Sequence, residues 1–218
     1  MSNTKNVFLQ NNIAKDYDLY YQTEFGKRID EIEKGIISKL IKNIPRTKMV
    51  ELGCGTGHWT KFFSDAGYNV TGIDTSRAML DHAVKKDIKA EFFNGDAENL
   101  PFTIESIDVV AAMTMLEFVN NQDKVLKEIK RILKPEGWLI LGCLNKLSVL
   151  GQNKSNDEIF RNANFLCQDE LAEKLKIFGD PFFESGVFLN NDYIILDDVP
   201  ESENKNPVFL GAVVQNLK

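Results

Sequence analysis

Met49-Val50-Glu51-Leu52-Gly53-Cys54-Gly55-Thr56-Gly57-His58-Trp59 is an apolar run interrupted by one acid and followed by a glycine at every second position. Trp59, Phe62, Phe63 and Ala66 then recur at i, i+3, i+4 and i+7, the spacing of one helical face. The order predicts a buried strand, a tight turn bare of side chains, and a helix packed back onto the strand. Glycine in such a turn permits positive φ and lets a ligand approach the main chain. A turn of this kind at the carboxyl end of a strand is the expected floor of a nucleotide-type cofactor site.

The same alternation extends outward. Ile29, Ile32, Ile36, Ile37, Leu40, Ile41 and Ile44 share a face and predict a helix over 28–44, closed by Pro45. Gly67 stops the helix after the glycine turn. Asn69–Ile73 reads as a second strand ending at Asp74, and Thr75 or Ser76 caps a helix carrying Met79, Leu80, Ala83 and Val84. Residues 88–93 predict a third strand before the turn Asn94-Gly95-Asp96, and Ile107–Ala112 a fourth, apolar throughout. A helix over 121–133 ends at Pro135, and Trp138–Gly142 makes a fifth strand. Strands alternating with helices at this pitch mean a parallel sheet with right-handed crossovers. Beyond it, 145–166 reads as loop around a short helix, and 168–178 as a helix ended by Gly179. Two β-rich stretches, 182–189 and 207–215, flank an acidic, Asn-rich insertion at 190–206.

With 218 residues, the chain suits one α/β domain. No apolar run reaches the roughly 18–20 residues of a membrane span, and the polar start MSNTKN does not resemble a signal peptide. A formal charge of −6 disfavours a nucleic-acid partner, whose nonspecific binding needs clustered Lys and Arg. Cys54, Cys143 and Cys167 are widely spread and form no CxxC, which fits a reduced cytoplasm and predicts neither a zinc site nor a disulfide framework.

The glycine turn alone leaves three readings open: a dinucleotide dehydrogenase, a methyltransferase, or a turn that merely packs. Three features shift the balance. The spacing is GxGxG, with His58 after Gly57, and not the dinucleotide pattern GxGxxG. Glu51, two residues before the first glycine, suits a cationic ligand better than a pyrophosphate. Two further segments, Gly95–Phe102 and Leu133–Gly137, follow at matching points of the alternation.

With these in place the chain resembles the class I S-adenosylmethionine-dependent methyltransferases, type 11 small-molecule group. VELGCGTG (50–57), GIDTS (72–76), NGDAENLPF (94–102), IDVVAAMTMLEFV (107–119) and LKPEGWLIL (133–141) carry the resemblance, in order, across about 48–142. Glu136 departs from the usual LKPGG. The resemblance implies a Rossmann-like, doubly wound, mostly parallel seven-stranded sheet of order 3-2-1-4-5-7-6, its last strand antiparallel, with helices on both faces. It implies one domain over 1–218: an N-terminal lid and helix (1–44), a cofactor-binding half (45–145) and a substrate-side half (146–218).

Residue by residue, the resemblance sets Gly53, Cys54, Gly55 and Gly57 against the methionine part of S-adenosylmethionine, with Glu51 near its amino group. It sets Asp74 on the ribose hydroxyls with Thr75 beside it, a helix N-cap being the alternative for Asp74, and Asp96 and Ala97 on the adenine, a solvated turn being the alternative for Asp96. Met79 and Leu80 are candidates for covering that ring, with core packing as the alternative. Met113 and Thr114 end strand four next to the transferring methyl group, with an ordinary satisfied strand end as the alternative. Glu117 and Asn145 join Tyr17, Tyr21 and Thr114 as substrate-side candidates. Tyr17, Tyr20 and Tyr21 belong to a segment that either closes over the site or pins the terminus to the sheet. Phe118, Phe160 and Phe165 would make the acceptor pocket partly apolar. The insertion Asp192–Glu203 reads as solvated loop in preference to a lid. His58 is of the residue type that exchanges protons near neutrality, but its place in the first helical turn favours a supporting or solvent-facing role over catalysis. His82 reads as surface, and Cys54 as packing.

These readings predict methyl transfer from S-adenosylmethionine to a small-molecule acceptor, by a cytoplasmic monomer or homodimer with no metal. No catalytic residue is assigned, because a sulfonium methyl is already activated and positioning supplies much of the acceleration. The alternatives are a nicotinamide-dependent oxidoreductase and a non-catalytic cofactor-binding protein of the same fold.

Overall fold

The computed structural model describes Phe8 and residues 11–217; the opening MSNTKN lies outside the described residues. Helices α1 (Asn11–Tyr20) and α2 (Glu24–Leu40) precede β1 (Lys48–Leu52). Then come α3 (His58–Asp65), β2 (Asn69–Asp74), α4 (Arg77–Val84), β3 (Ala90–Asn94), β4 (Ile107–Met113), α5 (Gln122–Ile132) and β5 (Leu133–Leu144). The chain continues through α6 (Val149–Asn153), α7 (Gln168–Leu175), β6 (Phe182–Gly186), β7 (Phe188–Leu189), β8 (Ile195–Leu196) and β9 (Phe209–Gln215).

Seven strands form one sheet in the order β3-β2-β1-β4-β5-β9-β6. β1 to β5 are mutually parallel, and β9 is antiparallel to both β5 and β6. This is the expected order with the chain's last strand, β9, running antiparallel. β7 and β8 make a separate hairpin that carries part of the 190–206 insertion. Alternation along each central strand divides the core between two faces. Val109, Ala111 and Met113 of β4 join α2 and α3 on one side, through Ile36, Ile37, Trp59 and Phe63. Val110 and Ala112 face the other side, with Leu126 and Ile129 of α5 and Leu171 of α7. No helix among the described residues is long and apolar enough to cross a membrane.

Several boundaries differ from the sequence expectation. α2 spans Glu24–Leu40 and not 28–44, because Thr23 caps its start (Gly26 N donates to Thr23 Oγ1 at 2.9 Å) and the chain turns after Leu40. β3 begins at Ala90, two residues late. β5 begins at Leu133, so Pro135 lies within a strand, beside a register shift at Ile107/Val109 that tolerates its missing donor. Glu136, where the family pattern has glycine, takes φ +63°. α7 stops at Leu175, short of 178.

Candidate functional site

The glycine turn joins β1 to α3 at the carboxyl edge of the sheet. Gly53, Gly55 and Gly57 take φ of +68°, +53° and +81°. A side chain at position 53 would place its Cβ 2.5 Å from Met115 Cβ, whereas at Gly55 a Cβ would meet nothing within 4 Å. The turn is therefore closed at its first glycine and open at its second. Gly57 leads directly into α3 and has no side chain with which to cap it.

Two carboxyl groups border that opening. Glu51 on β1 is 1% exposed, and Thr60 Oγ1 donates to its Oε2 at 2.5 Å. Burial pushes its pKa up to about 8, with a smaller push from the charge of Asp74. Asp74, at the tip of β2, receives the Gly55 amide on Oδ2 (2.8 Å) and the Ser76 amide on Oδ1 (2.7 Å). Asp74 is likewise raised by burial, against the lowering effect of those amides. Helix α4 is capped by Ser76, whose Oγ accepts from Met79 N, so Asp74 is not its cap. Neither Glu51 nor Asp74 is ion-paired to a Lys or Arg among the described residues.

The other expected residues fall in three groups. Cys54, Met79, Ala97 and Met113 are buried, and burial drives the Cys54 thiol well up, which suits packing. Thr75 and Asp96 are exposed; Asp96 Oδ1 accepts from Glu98 N at 2.9 Å within its own turn. Thr114 leaves β4 at φ +46°, its amide donating to Gly142 O at 2.6 Å. Asn145 is 4% exposed, with both ends of its amide engaged: Nδ2 donates to Pro207 O and Oδ1 accepts from Leu147 N. It anchors the 145–148 loop. Glu117, in the 3-10 turn Leu116–Phe118 after β4, is 2% exposed, and burial lifts it to about 7.

Helix α1 lies over this edge and is fastened to it. Thr56 Oγ1 of the glycine turn donates to Asp18 Oδ1 at 2.7 Å, and Lys86 of the α4 C-terminus pairs with Asp18 at 2.7 Å. Tyr21 stacks on His58 with centroids 3.6 Å apart, and Tyr17 meets Tyr21 at 5.8 Å. His58 Nε2 donates to Asp30 Oδ1 at 2.7 Å, tying α3 to α2. An aromatic run continues from Tyr17 through Phe8, Phe118 and Phe160 to Phe165.

Glu33 was not expected. It lies on the apolar face of α2, 8% exposed, and burial raises it to about 8. The signal was present, because position 33 follows Ile29 by four and precedes Ile36 and Ile37 by three and four. An acid on a buried helical stripe is the informative exception. Among the described residues no group of three or more His, Cys, Asp or Glu is placed to hold a metal ion.

A family model described as a methyltransferase domain matches residues 50–141. An uncharacterised protein of Methanocaldococcus jannaschii is 36% identical over 166 residues, covering 73% of this chain and 78% of that protein. A demethylmenaquinone methyltransferase of Thermotoga maritima is 32% identical, over 59% of this chain and 57% of that enzyme. A malonyl-[acyl-carrier protein] O-methyltransferase of Pectobacterium atrosepticum is 29% identical, over 57% of this chain and 51% of that enzyme. The match thus spans little more than half the length of these two enzymes. Among solved structures, a Thermotoga maritima protein described as "SAM-dependent methyltransferase, possible histamine N-methyltransferase" superposes with a TM-score of 0.74 at 24% identity, over 95% of this chain and 98% of that one. That likeness establishes the fold.

Proposed function

Because the chain belongs to the class I S-adenosylmethionine-dependent methyltransferases, type 11 group, we propose that it transfers a methyl group to a small-molecule acceptor seated under α1. One observation carries the reading. Glu51 and Asp74 border an open glycine turn, and neither is ion-paired to a cationic side chain among the described residues. Buried acids without a cation are costly unless a ligand supplies one. The donor set fits the cofactor: carboxylates that accept from hydroxyl and ammonium groups, beside a bend that a Cβ at Gly55 would leave clear.

In this reading Glu51, Gly53, Gly55 and Gly57 hold the amino-acid part, Asp74 and Thr75 the ribose, and Asp96 and Ala97 the base. Cys54, Met79 and Met113 pack beneath. Bound there, the cofactor supplies a methyl group already activated by its positively charged sulfur. The chain's own task is placement. Thr114 and Glu117 carry β4 toward the acceptor, and Tyr17 and Tyr21 cover it and exclude water. Residues 45–145 form the cofactor half, 146–218 the acceptor side, and 1–44 the cover. Asn145 shapes the acceptor side by holding its loop. The free Cys54, Cys143 and Cys167 accord with a reducing, cytoplasmic setting.

Calorimetric titration with S-adenosylmethionine tests the cofactor assignment. Asp74→Ala should weaken binding by ~1–3 kcal/mol, the loss of a buried acceptor, with the melting temperature recorded to separate unfolding from lost contact. An unchanged dissociation constant would show the ribose assignment to be wrong. Labelled cofactor offered with small molecules and with RNA should mark only the former.

A further inference from the structure

A second pair of buried acids stands apart from the cofactor pair. Glu117 Oε1 accepts from the Leu144 amide at the end of β5, which holds the side chain in place. Its Oε2 is buried with no hydrogen-bond partner. The only other such side-chain atom among the described residues, Asn216 Oδ1, lies at the opposite edge of the sheet, where Asn216 binds Leu133 and Lys134. Orphaned buried acceptors are rare and call for an explanation.

Glu33 lies on the buried face of α2 between Ile29 and Ile36, which belong to the same apolar cluster that Phe118, the residue after Glu117, packs against. Neither acid is ion-paired among the described residues, and nearby Lys34 is committed to Asp30 at 2.6 Å. Aromatic rings lie beside Glu117, whose neighbour in the chain is Phe118, and Phe8 links Phe118 to Tyr17 at 5.9 Å. Tyr17 and Tyr21 both lie in the field of Glu33, and Phe118 meets Phe8 at 4.9 Å and Phe160 at 6.2 Å.

A neutral hydroxyl would satisfy one lone pair and leave both acids holding the protons that burial gives them. A carboxylate or phosphate would bring a charge that opposes their ionisation. A protonated amine supplies both a donor and a charge, and aromatic faces favour a cation. We propose that the acceptor is an amine on an apolar body, its nitrogen received by Glu117 Oε2 and Glu33 beneath Tyr17 and Tyr21. The word acceptor rests on the methyl-transfer reading above; the amine site does not need it.

The full chain, without cofactor, is titrated by ligand-observed NMR at pH 7.5 with 2-phenylethylamine, tryptamine and cyclohexylamine, then with 2-phenylethanol and phenylacetate. The amines should bind in preference to the alcohol and the acid. Glu117→Gln retains an oxygen for the Leu144 amide, so its melting temperature and S-adenosylmethionine affinity should hold. Its amine affinity should fall roughly ten- to hundredfold. Should that variant fail to fold, Glu33→Gln must produce the loss instead. The proposal is overturned if no amine binds, if alcohol or acid binds as well, or if a folded variant keeps its amine affinity. Loss of S-adenosylmethionine binding in the parent chain would instead sink the cofactor reading, with the amine result unaffected.

Discussion

Gly53 and Gly55 share positive φ but differ in surroundings, so the same substitution should separate folding from binding. Alanine at 53 adds left-handed strain to a 2.5 Å approach to Met115 Cβ. Gly53→Ala should cost about 2–5 kcal/mol, summing about 1–2 for the conformation and about 1–3 for overpacking. Gly55→Ala meets no atom and should cost only about 1–2 kcal/mol, while its methyl projects toward the proposed cofactor. Urea unfolding with calorimetry distinguishes them; equal destabilisation would mean that the turn is not differently packed at its two glycines. These glycines were legible in the sequence because no other residue type makes so short a turn cheaply. The roles of Glu33 and Asn145 were not. Glu33 stood out as an acid on an apolar stripe, but the stripe does not say what it meets; Asn145 proved to have one end of its amide on Pro207 O and the other on Leu147 N.

Among the elements, periodicity located the helices better than it located their ends. α2 shows why. Its apolar stripe runs on to Ile41 and Ile44, both buried, yet the backbone has already turned after Leu40. Its start is decided by Thr23, outside the stripe, with Glu24 in the first turn and Lys39 in the last. Thr23→Ala should lower stability by about 1 kcal/mol, the usual cost of a lost cap, seen as a lower melting temperature. No change would mean that the cap is replaced by solvent. β5 shows the converse. Pro135 follows the end of α5 as a helix breaker should, yet it lies within β5, because the register shift between Ile107 and Val109 frees that position from donating. Glu136 there holds φ +63°, a conformation that costs a non-glycine residue about 1–3 kcal/mol.

Across the whole molecule, the buried acids set a pH dependence. Burial raises Glu33 and Glu51 to about 8 and Glu117 to about 7, from an ordinary 4.5. A carboxyl raised in the folded state holds its proton more tightly there than in the unfolded chain. Its contribution is complete below 4.5 and is lost as pH climbs through the folded value. The ligand-free protein should therefore lose stability between about pH 5 and 8, by up to about 1.4 kcal/mol per pH unit for each group. Asp30 does not act in this window: burial raises it, but hydrogen bonds from His58 and Lys34 outweigh that and leave it lowered. Urea midpoints at pH 5, 6.5 and 8 should fall in that order, and Glu51→Gln should flatten the trend. Midpoints that rise would show these acids to be ionised in the fold.

Local chemistry, read from the residues alone, determined the succession of strands and helices, the glycine turn after β1, and the acids Glu51 and Asp74 beside it. Period-two and period-3.6 patterns and the need for positive φ act over a few residues, and the chain states them outright. Strand order is different: it followed from the resemblance to a family, since no periodicity encodes which strands become neighbours. Only the packed molecule decided that Asp18 would clamp Thr56 and Lys86, that Tyr21 would stack on His58, and that Glu33 and Glu117 would both be buried. Those groups lie on different elements, far apart along the chain. Whether such groups meet, and whether they keep their protons, depends on the desolvation that burial imposes.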